Sequence, residues 1–143
     1  DETKNQSSDK YLKLFKNSKN IKIIQDAMFA STNEVRGTSY RSRINDPKYQ
    51  FAGKTGTAQV KKITEKDREL DLKTFQIPYE ERDHALYIAF GPYKNPRYAL
   101  SILVEHGGNG STTAAPMAKE LFKLIIDRHS LRQSINNKRY LDI

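Results

Sequence analysis

The residues best suited to chemistry lie together in one short segment, Gly53-Lys54-Thr55-Gly56-Thr57-Ala58-Gln59. A lysine ammonium attracts a carboxylate, and threonine hydroxyls can donate hydrogen bonds to the same group. Glycine inside a strand often marks a place where a ligand comes close to the backbone. The segment therefore predicts a binding site for an extended ligand with a carboxylate. Its binding residues would be Lys54, Thr55, Gly56 and Thr57.

A strand at the edge of a sheet would let a peptide ligand add alongside the segment through unpaired N–H and C=O groups. Successive side chains of a strand point to opposite faces. Lys54 and Thr55 can therefore act on one ligand only if it lies along that edge. The backbone N–H of Thr57 could then stabilise a developing oxyanion, which acyl transfer requires. Thr57 is accordingly a candidate catalytic residue.

Apolar patterns predict the elements that position the segment. Residues 21–35 have the spacing of one helical face, with Asn20 as N-cap and Gly37 beyond the end. Residues 48–62 are predicted as a strand, and residues 84–92 and 97–106 as a hairpin with a Gly/Pro/Asn turn. Residues 112–129 are predicted as a second helix, with an apolar face made by Met117, Ala118, Leu121, Phe122 and Ile125.

This order predicts an α+β fold in which a three-stranded antiparallel sheet packs against helices on one face. We expect the sheet to be part of a larger domain, because its other face or its free edge needs a cover. Residues 1–20 are predicted as a polar lead-in, 21–129 as the domain portion and 130–143 as a flexible tail. Residues 63–83 are predicted as an exposed excursion between strands, and 107–110 as a flexible break.

Composition excludes some classes of protein and leaves one alternative open. The chain has 25 Lys and Arg against 17 Asp and Glu, a net charge of +8, and no Cys. No apolar run approaches the ~18–20 residues of a membrane helix. The basic residues are spread along the chain, so we favour a solvated surface over a nucleic-acid site. A small basic binding module for nucleic acid or protein, without catalysis, remains the alternative.

Four parts of the sequence resemble the penicillin-binding proteins and serine β-lactamases, and most of all class B penicillin-binding protein 2. They are Gly37-Thr38, Ala52-Gly-Lys-Thr-Gly-Thr-Ala-Gln-Val60, Ala89-Phe-Gly-Pro-Tyr-Lys-Asn-Pro96 and Val104-Glu-His-Gly-Gly108. Lys-Thr-Gly is one of the three catalytic motifs of that family. The resemblance covers residues 21–129 and implies the C-terminal part of a D,D-transpeptidase domain with the fold of this family.

The resemblance also implies the chemistry and its setting. The family's strand lysine holds the substrate carboxylate and tunes proton transfer, a catalytic role that falls on Lys54. Thr55 and Thr57 would bind the carboxylate. The implied partners are a peptidoglycan stem peptide ending in D-Ala-D-Ala, β-lactam antibiotics and proteins of the cell-elongation machinery, with no nucleic acid, metal or organic cofactor. The parent would be anchored in the bacterial inner membrane, with its catalytic domain in the periplasm.

The other two motifs of the family are missing in usable form. Ser7 to Lys10 and Ser31 to Asn33 match Ser-x-x-Lys and Ser-x-Asn literally. We reject the first because it lies in a polar lead-in, and the second because it lies in the helix before the strand. The chain is therefore expected to be a fragment without its nucleophile and inactive alone. An inactive homologue or a β-lactamase remains possible from this stretch.

Overall fold

The computed structural model describes residues 17–62, 65 and 72–141. Helix α1 spans Ser18–Asn33, strand β1 Ala52–Ala58, strand β2 His84–Gly91, strand β3 Tyr98–Val104 and helix α2 Ala114–Leu141. Short 3-10 turns occupy Tyr40–Ser42, Thr74–Gln76 and Tyr79–Glu81. The strands form an antiparallel sheet in the order β1-β2-β3. This arrangement confirms the predicted α+β class and the hairpin.

Both helices pack on one face of the sheet, as predicted. Alternate residues of β2 point to that face, and Ala85, Tyr87 and Ala89 are buried there. Phe51 stacks on Phe122 of α2, with ring centroids 4.9 Å apart. These residues join the rest of the buried core, Ile44, Ala114, Ala115, Ala118 and Ile126. On the opposite face Ile88 and Leu103 are 51% and 56% exposed, so that face carries uncovered apolar surface.

The helix boundaries differ from the predicted ones. The N-cap of α1 is Asn17, whose side chain accepts a hydrogen bond from the Lys19 amide at 2.9 Å, and not Asn20. Helix α2 continues to Leu141 instead of ending at 129. The stripe that α2 buries is Ala115, Ala118, Phe122 and Ile126, whereas Met117 and Leu121 of the predicted face are exposed. Strand β1 is shorter than the predicted 48–62.

The glycine-rich segment after β3 is tightly held, although its composition suggested a flexible break. Gly108 donates its N–H to the Asp83 carbonyl at 2.8 Å and has a φ of 76°, which favours glycine. Gly110 is buried, and its carbonyl accepts from the Ala115 amide at 2.9 Å. The predicted lead-in lies almost wholly outside the described residues. No helix in the described part of the chain is both long and apolar enough to cross a membrane.

Candidate active site

Strand β1 lies at an edge of the described sheet, because only β2 pairs with it. The Gly53 amide points away from β2 and donates to the Thr32 hydroxyl at 3.0 Å. Backbone groups of an antiparallel strand alternate in direction. The N–H and C=O groups of Thr55 and Thr57 therefore point outward along the same edge. Helix α1 thus covers the edge at Gly53, and the next outward positions belong to the predicted site.

Lys54 reaches the same edge despite its different side-chain direction. Its ammonium donates to the Thr55 carbonyl oxygen at 2.8 Å, and that oxygen points outward. No ion pair to Lys54 occurs among the residues that the structure describes. The side chains of Lys54 and Thr57 are both exposed, and that of Thr55 is half-buried. The edge therefore combines an available cation with outward backbone donors, an arrangement suited to an extended anionic ligand.

Gly56 lies between these donors, and a residue that sequence reasoning missed supports its backbone. Among the described residues, a methyl group on Gly56 would meet one neighbour within 4 Å, the Leu86 Cβ at 3.3 Å. A methyl group on Gly110 would lie 2.7 Å from the Gly56 carbonyl oxygen and 2.5 Å from that of Leu86. Gly110 thus allows the loop before α2 to pack against the site strand. Its place in a glycine-rich run was the available signal.

A buried hydroxyl cluster fixes β1 to α1 beneath the site. The Tyr87 hydroxyl lies 2.9 Å from the Thr32 hydroxyl and 3.0 Å from the Ser39 hydroxyl. All three side chains are fully or almost fully buried. Burial raises the pKa of Tyr87 above its ordinary value, while its hydrogen bonds with Ser39 and Thr32 act in the opposite direction. Because Thr32 also accepts from Gly53, the cluster holds the residue next to Lys54.

Replacing Tyr87 with phenylalanine in the complete protein is expected to lower the free energy of unfolding by about 1–2 kcal/mol, since two buried hydroxyls lose a partner. Thermal unfolding measures this loss. The raised pKa of Tyr87 gives a second signature. Folding favours the neutral phenol. The contribution of Tyr87 to the free energy of unfolding is therefore complete below about pH 10 and falls as the pH rises further. The Tyr87→Phe variant should flatten that alkaline decline, and an unchanged decline would contradict the assignment.

The rejected Ser-x-Asn match lies in helix α1, where Ser31 and Asn33 make hydrogen bonds within the fold. Ser31 lies in α1, as predicted, and the Asn33 side chain donates to the Phe51 carbonyl at 2.9 Å. Ser7 and Lys10 lie outside the described residues. His106 follows β3 with a φ of 54°, and its amide donates to the His84 ring at 2.9 Å. Among the described residues, no cluster of three His, Cys, Asp or Glu side chains could hold a metal ion.

Comparison with known proteins assigns the chain to a class of protein. Residues 2–123 match the model of the penicillin binding protein transpeptidase domain. The chain therefore belongs to the penicillin-binding protein transpeptidase family, which confirms the resemblance found in its motifs. It is similar to the peptidoglycan D,D-transpeptidase MrdA of Salmonella typhimurium, with 35% identity over 105 residues, 73% of this chain and 16% of that protein. The Acinetobacter baumannii MrdA is 42% identical over 79 residues, 55% of this chain and 11% of that protein.

Solved structures agree with this family and with the predicted fold. The Helicobacter pylori penicillin-binding protein PBP2, in its complex with MreC, is 36% identical with a TM-score of 0.55. That match covers 76% of this chain and 18% of the other. The Pseudomonas aeruginosa PBP2 in complex with WCK 5153 is 30% identical with a TM-score of 0.59, covering 78% and 20%. The matches thus span only 16% and 11% of the length of the two MrdA relatives given above.

Proposed function

We propose that this chain is the C-terminal part of the catalytic domain of a peptidoglycan D,D-transpeptidase and supplies its Lys-Thr-Gly strand. The observation that carries the proposal is the open edge of β1. Thr55 and Thr57 turn their backbone groups outward there, and the Lys54 ammonium lies 2.8 Å from the Thr55 carbonyl. The exposed apolar face with Ile88 and Leu103 supports the idea that further parts of a domain cover this sheet.

In the proposed reaction, a serine outside this chain attacks the carbonyl carbon of the penultimate D-Ala of a donor stem peptide. The peptide bond to the terminal D-Ala breaks, that D-Ala leaves with a proton on its amine, and the serine keeps the acyl group. An acceptor amine then attacks the acyl-enzyme, forms the cross-linking amide and returns a proton to the serine. Each attack generates an oxyanion, for which the outward N–H of Thr57 is a suitable donor.

The carboxylate of the donor would be held by Lys54, Thr55 and Thr57. The missing side chain of Gly56 would let the peptide lie close to the strand. A carboxylate is an acceptor, and an ammonium with two hydroxyls supplies the charge-assisted bonds that recognise it. Lys54 would also favour proton transfer at the serine through its positive charge.

A β-lactam would follow the same first step. The serine opens the ring, the ring nitrogen takes a proton, and the acyl group stays attached.

The proposal includes a setting for the complete enzyme, which the family resemblance implies. We expect the complete protein to be anchored in the bacterial inner membrane with its catalytic domain in the periplasm. A related PBP2 forms a complex with MreC, which supports an elongation-machinery protein as partner of this one. The chain without the serine should be inactive, because the described strand supplies binding and oxyanion donors but no nucleophile.

Sequencing the complete reading frame that encodes this chain tests the proposal. We expect it to contain, before Asp1, an apolar anchor, then Ser-x-x-Lys, then Ser-x-Asn. The complete protein should be labelled covalently by a fluorescent penicillin, and alanine in place of the Ser-x-x-Lys serine should abolish labelling. A reading frame without these motifs, or a complete protein that penicillin does not label, would overturn the proposal.

The net charge of +8 motivates the second candidate, a basic module that binds nucleic acid. That candidate predicts a gel shift at low salt whose affinity falls steeply as salt increases. Binding of that kind, together with no penicillin labelling of the complete protein, would favour it. Labelling without a gel shift would remove it.

A further inference from the structure

Two hydroxyl dipeptides meet beside the site strand, Ser31-Thr32 near the end of α1 and Thr38-Ser39 after the following turn. The turn is tight, because a methyl group on Gly37 would lie 2.3 Å from the Ser31 carbonyl oxygen. The Ser39 amide donates to that same oxygen at 3.0 Å. Residues seven apart in the chain are thereby brought side by side, Ser31 with Thr38 and Thr32 with Ser39.

One of these hydroxyl pairs is buried, and the other lies near the surface. Thr32 and Ser39 are buried and bind Tyr87, as described above. Ser31 and Thr38 form the outer pair, with their hydroxyl oxygens 3.2 Å apart. From Thr38 the chain of hydroxyls continues to Thr55, whose hydroxyl oxygen lies 3.3 Å away. Three hydroxyls in series therefore end at a residue of the open edge.

Each hydroxyl has a single proton to donate, so such a series has a direction. A carboxylate only accepts hydrogen bonds. When one binds at Thr55, the Thr55 proton must turn toward it, and the Thr55 oxygen is then free to accept from Thr38. Thr38 in turn accepts from Ser31. Hydrogen bonds aligned in this way polarise and strengthen one another.

We propose that Thr38 is a positioning residue that orients the Thr55 hydroxyl toward the carboxylate of the ligand, with Ser31 behind it. This inference rests on the proposed transpeptidase function, and it adds a residue outside the Lys-Thr-Gly strand to ligand recognition. Thr38 acts through Thr55 and donates nothing to the ligand directly. Its effect should therefore exist only while Thr55 has its hydroxyl.

The experiment is a double-mutant cycle in the complete protein, with Thr38→Val, Thr55→Val and the pair. Stopped-flow acylation by benzylpenicillin separates the dissociation constant of the initial complex from the limiting acylation rate. Thr38→Val should raise that dissociation constant about fivefold, the equivalent of one hydrogen bond of ~1 kcal/mol. In the Thr55→Val background it should have no further effect, because the two residues act in series.

Companion variants separate a missing hydroxyl from a damaged fold. Thr38→Ser keeps the hydroxyl and should restore the wild-type dissociation constant, while Ser31→Ala should raise it about twofold, as loss of a more distant bond. Ser130→Ala, which loses a hydroxyl on α2 that donates to the Ile126 carbonyl, is the matched control and should leave it unchanged. Equal and additive effects of Thr38→Val in both backgrounds, or no effect at all, would overturn the inference. A wild-type protein that penicillin does not acylate would overturn the proposed function instead.

Discussion

Replacing Lys54 with alanine in the complete protein is expected to slow acylation by penicillin about tenfold to a hundredfold. The Lys54 ammonium lies at the open edge of β1, 2.8 Å from the Thr55 carbonyl oxygen, and its side chain is exposed. Alanine removes the cation that would attract a ligand carboxylate, and a hydrogen bond to a charged group contributes about 1.5–3 kcal/mol. The second-order rate constant for fluorescent penicillin labelling measures the loss.

Lys94→Ala is the matched control for that experiment. Lys94 is an exposed lysine in the turn between β2 and β3, so its removal lowers the net charge equally and leaves β1 intact. Acylation of the Lys94 variant should stay within about twofold of wild type, since single exposed charges contribute little. If Lys54→Ala were acylated as fast as wild type, the proposed role of Lys54 would be lost, whatever the fate of Lys94.

The order of the strands and the position of the site strand were predictable from local patterns. Two apolar runs around a Gly/Pro/Asn turn specify a hairpin, and β2 and β3 form one. That Lys54 and Thr55 serve one ligand from an edge stays a prediction, and the structure adds that the Lys54 ammonium donates to the Thr55 carbonyl oxygen at 2.8 Å. That contact joins neighbouring residues through a flexible lysine side chain, so it depends on the edge position of the strand and on no other distant part of the sequence.

The helix faces were less predictable, because apolar spacing does not reveal which side meets the sheet. Ile24 and Val35 belong to the predicted face of α1 or its end, yet they are 55% and 78% exposed. Among the described side chains of α1, Thr32 is the one that is completely buried. A hydroxyl can be buried when it has hydrogen-bond partners. The partners of the Thr32 hydroxyl are Tyr87 and Gly53, which belong to strands later in the sequence. The hydropathy of the residues around Thr32 therefore does not reveal these partners.

The support behind Gly56 escaped prediction for the same reason. The run 107–110 contains several glycines, and composition alone indicates only that the backbone there is free to turn. Whether a glycine is needed for a turn or for close packing depends on what lies opposite. Here Gly108 combines a positive φ with a close side-chain neighbour, Thr74, whereas Gly110 has close backbone neighbours and no positive φ. The two requirements are distinguishable only once β1 and the loop are placed side by side.

Replacing Gly110 with alanine is expected to damage both the fold and the site. The added methyl group would lie 2.5 Å from the Leu86 carbonyl oxygen and 2.7 Å from the Gly56 carbonyl oxygen. Both are backbone atoms of paired strands, so no side-chain rotation can relieve the overlap, and the loop or β1 must shift. Overpacking of this kind costs about 1–3 kcal/mol of stability. A shift of about 1 Å in catalytic groups can cost about a hundredfold in rate.

The measurement combines thermal unfolding of the complete protein with its penicillin acylation rate. Thr112→Ala is the control, because Thr112 is an exposed residue of the same loop whose hydroxyl donates to the Asn109 carbonyl within that loop. That variant should lose at most about 1 kcal/mol and keep its acylation rate, since no backbone contact to β1 changes. A Gly110→Ala protein with wild-type stability and acylation would show that the loop can move away from Gly56 without cost. In that case Gly56 owes its position to its pairing with Leu86 in β2, and Gly110 plays no part in holding the site strand.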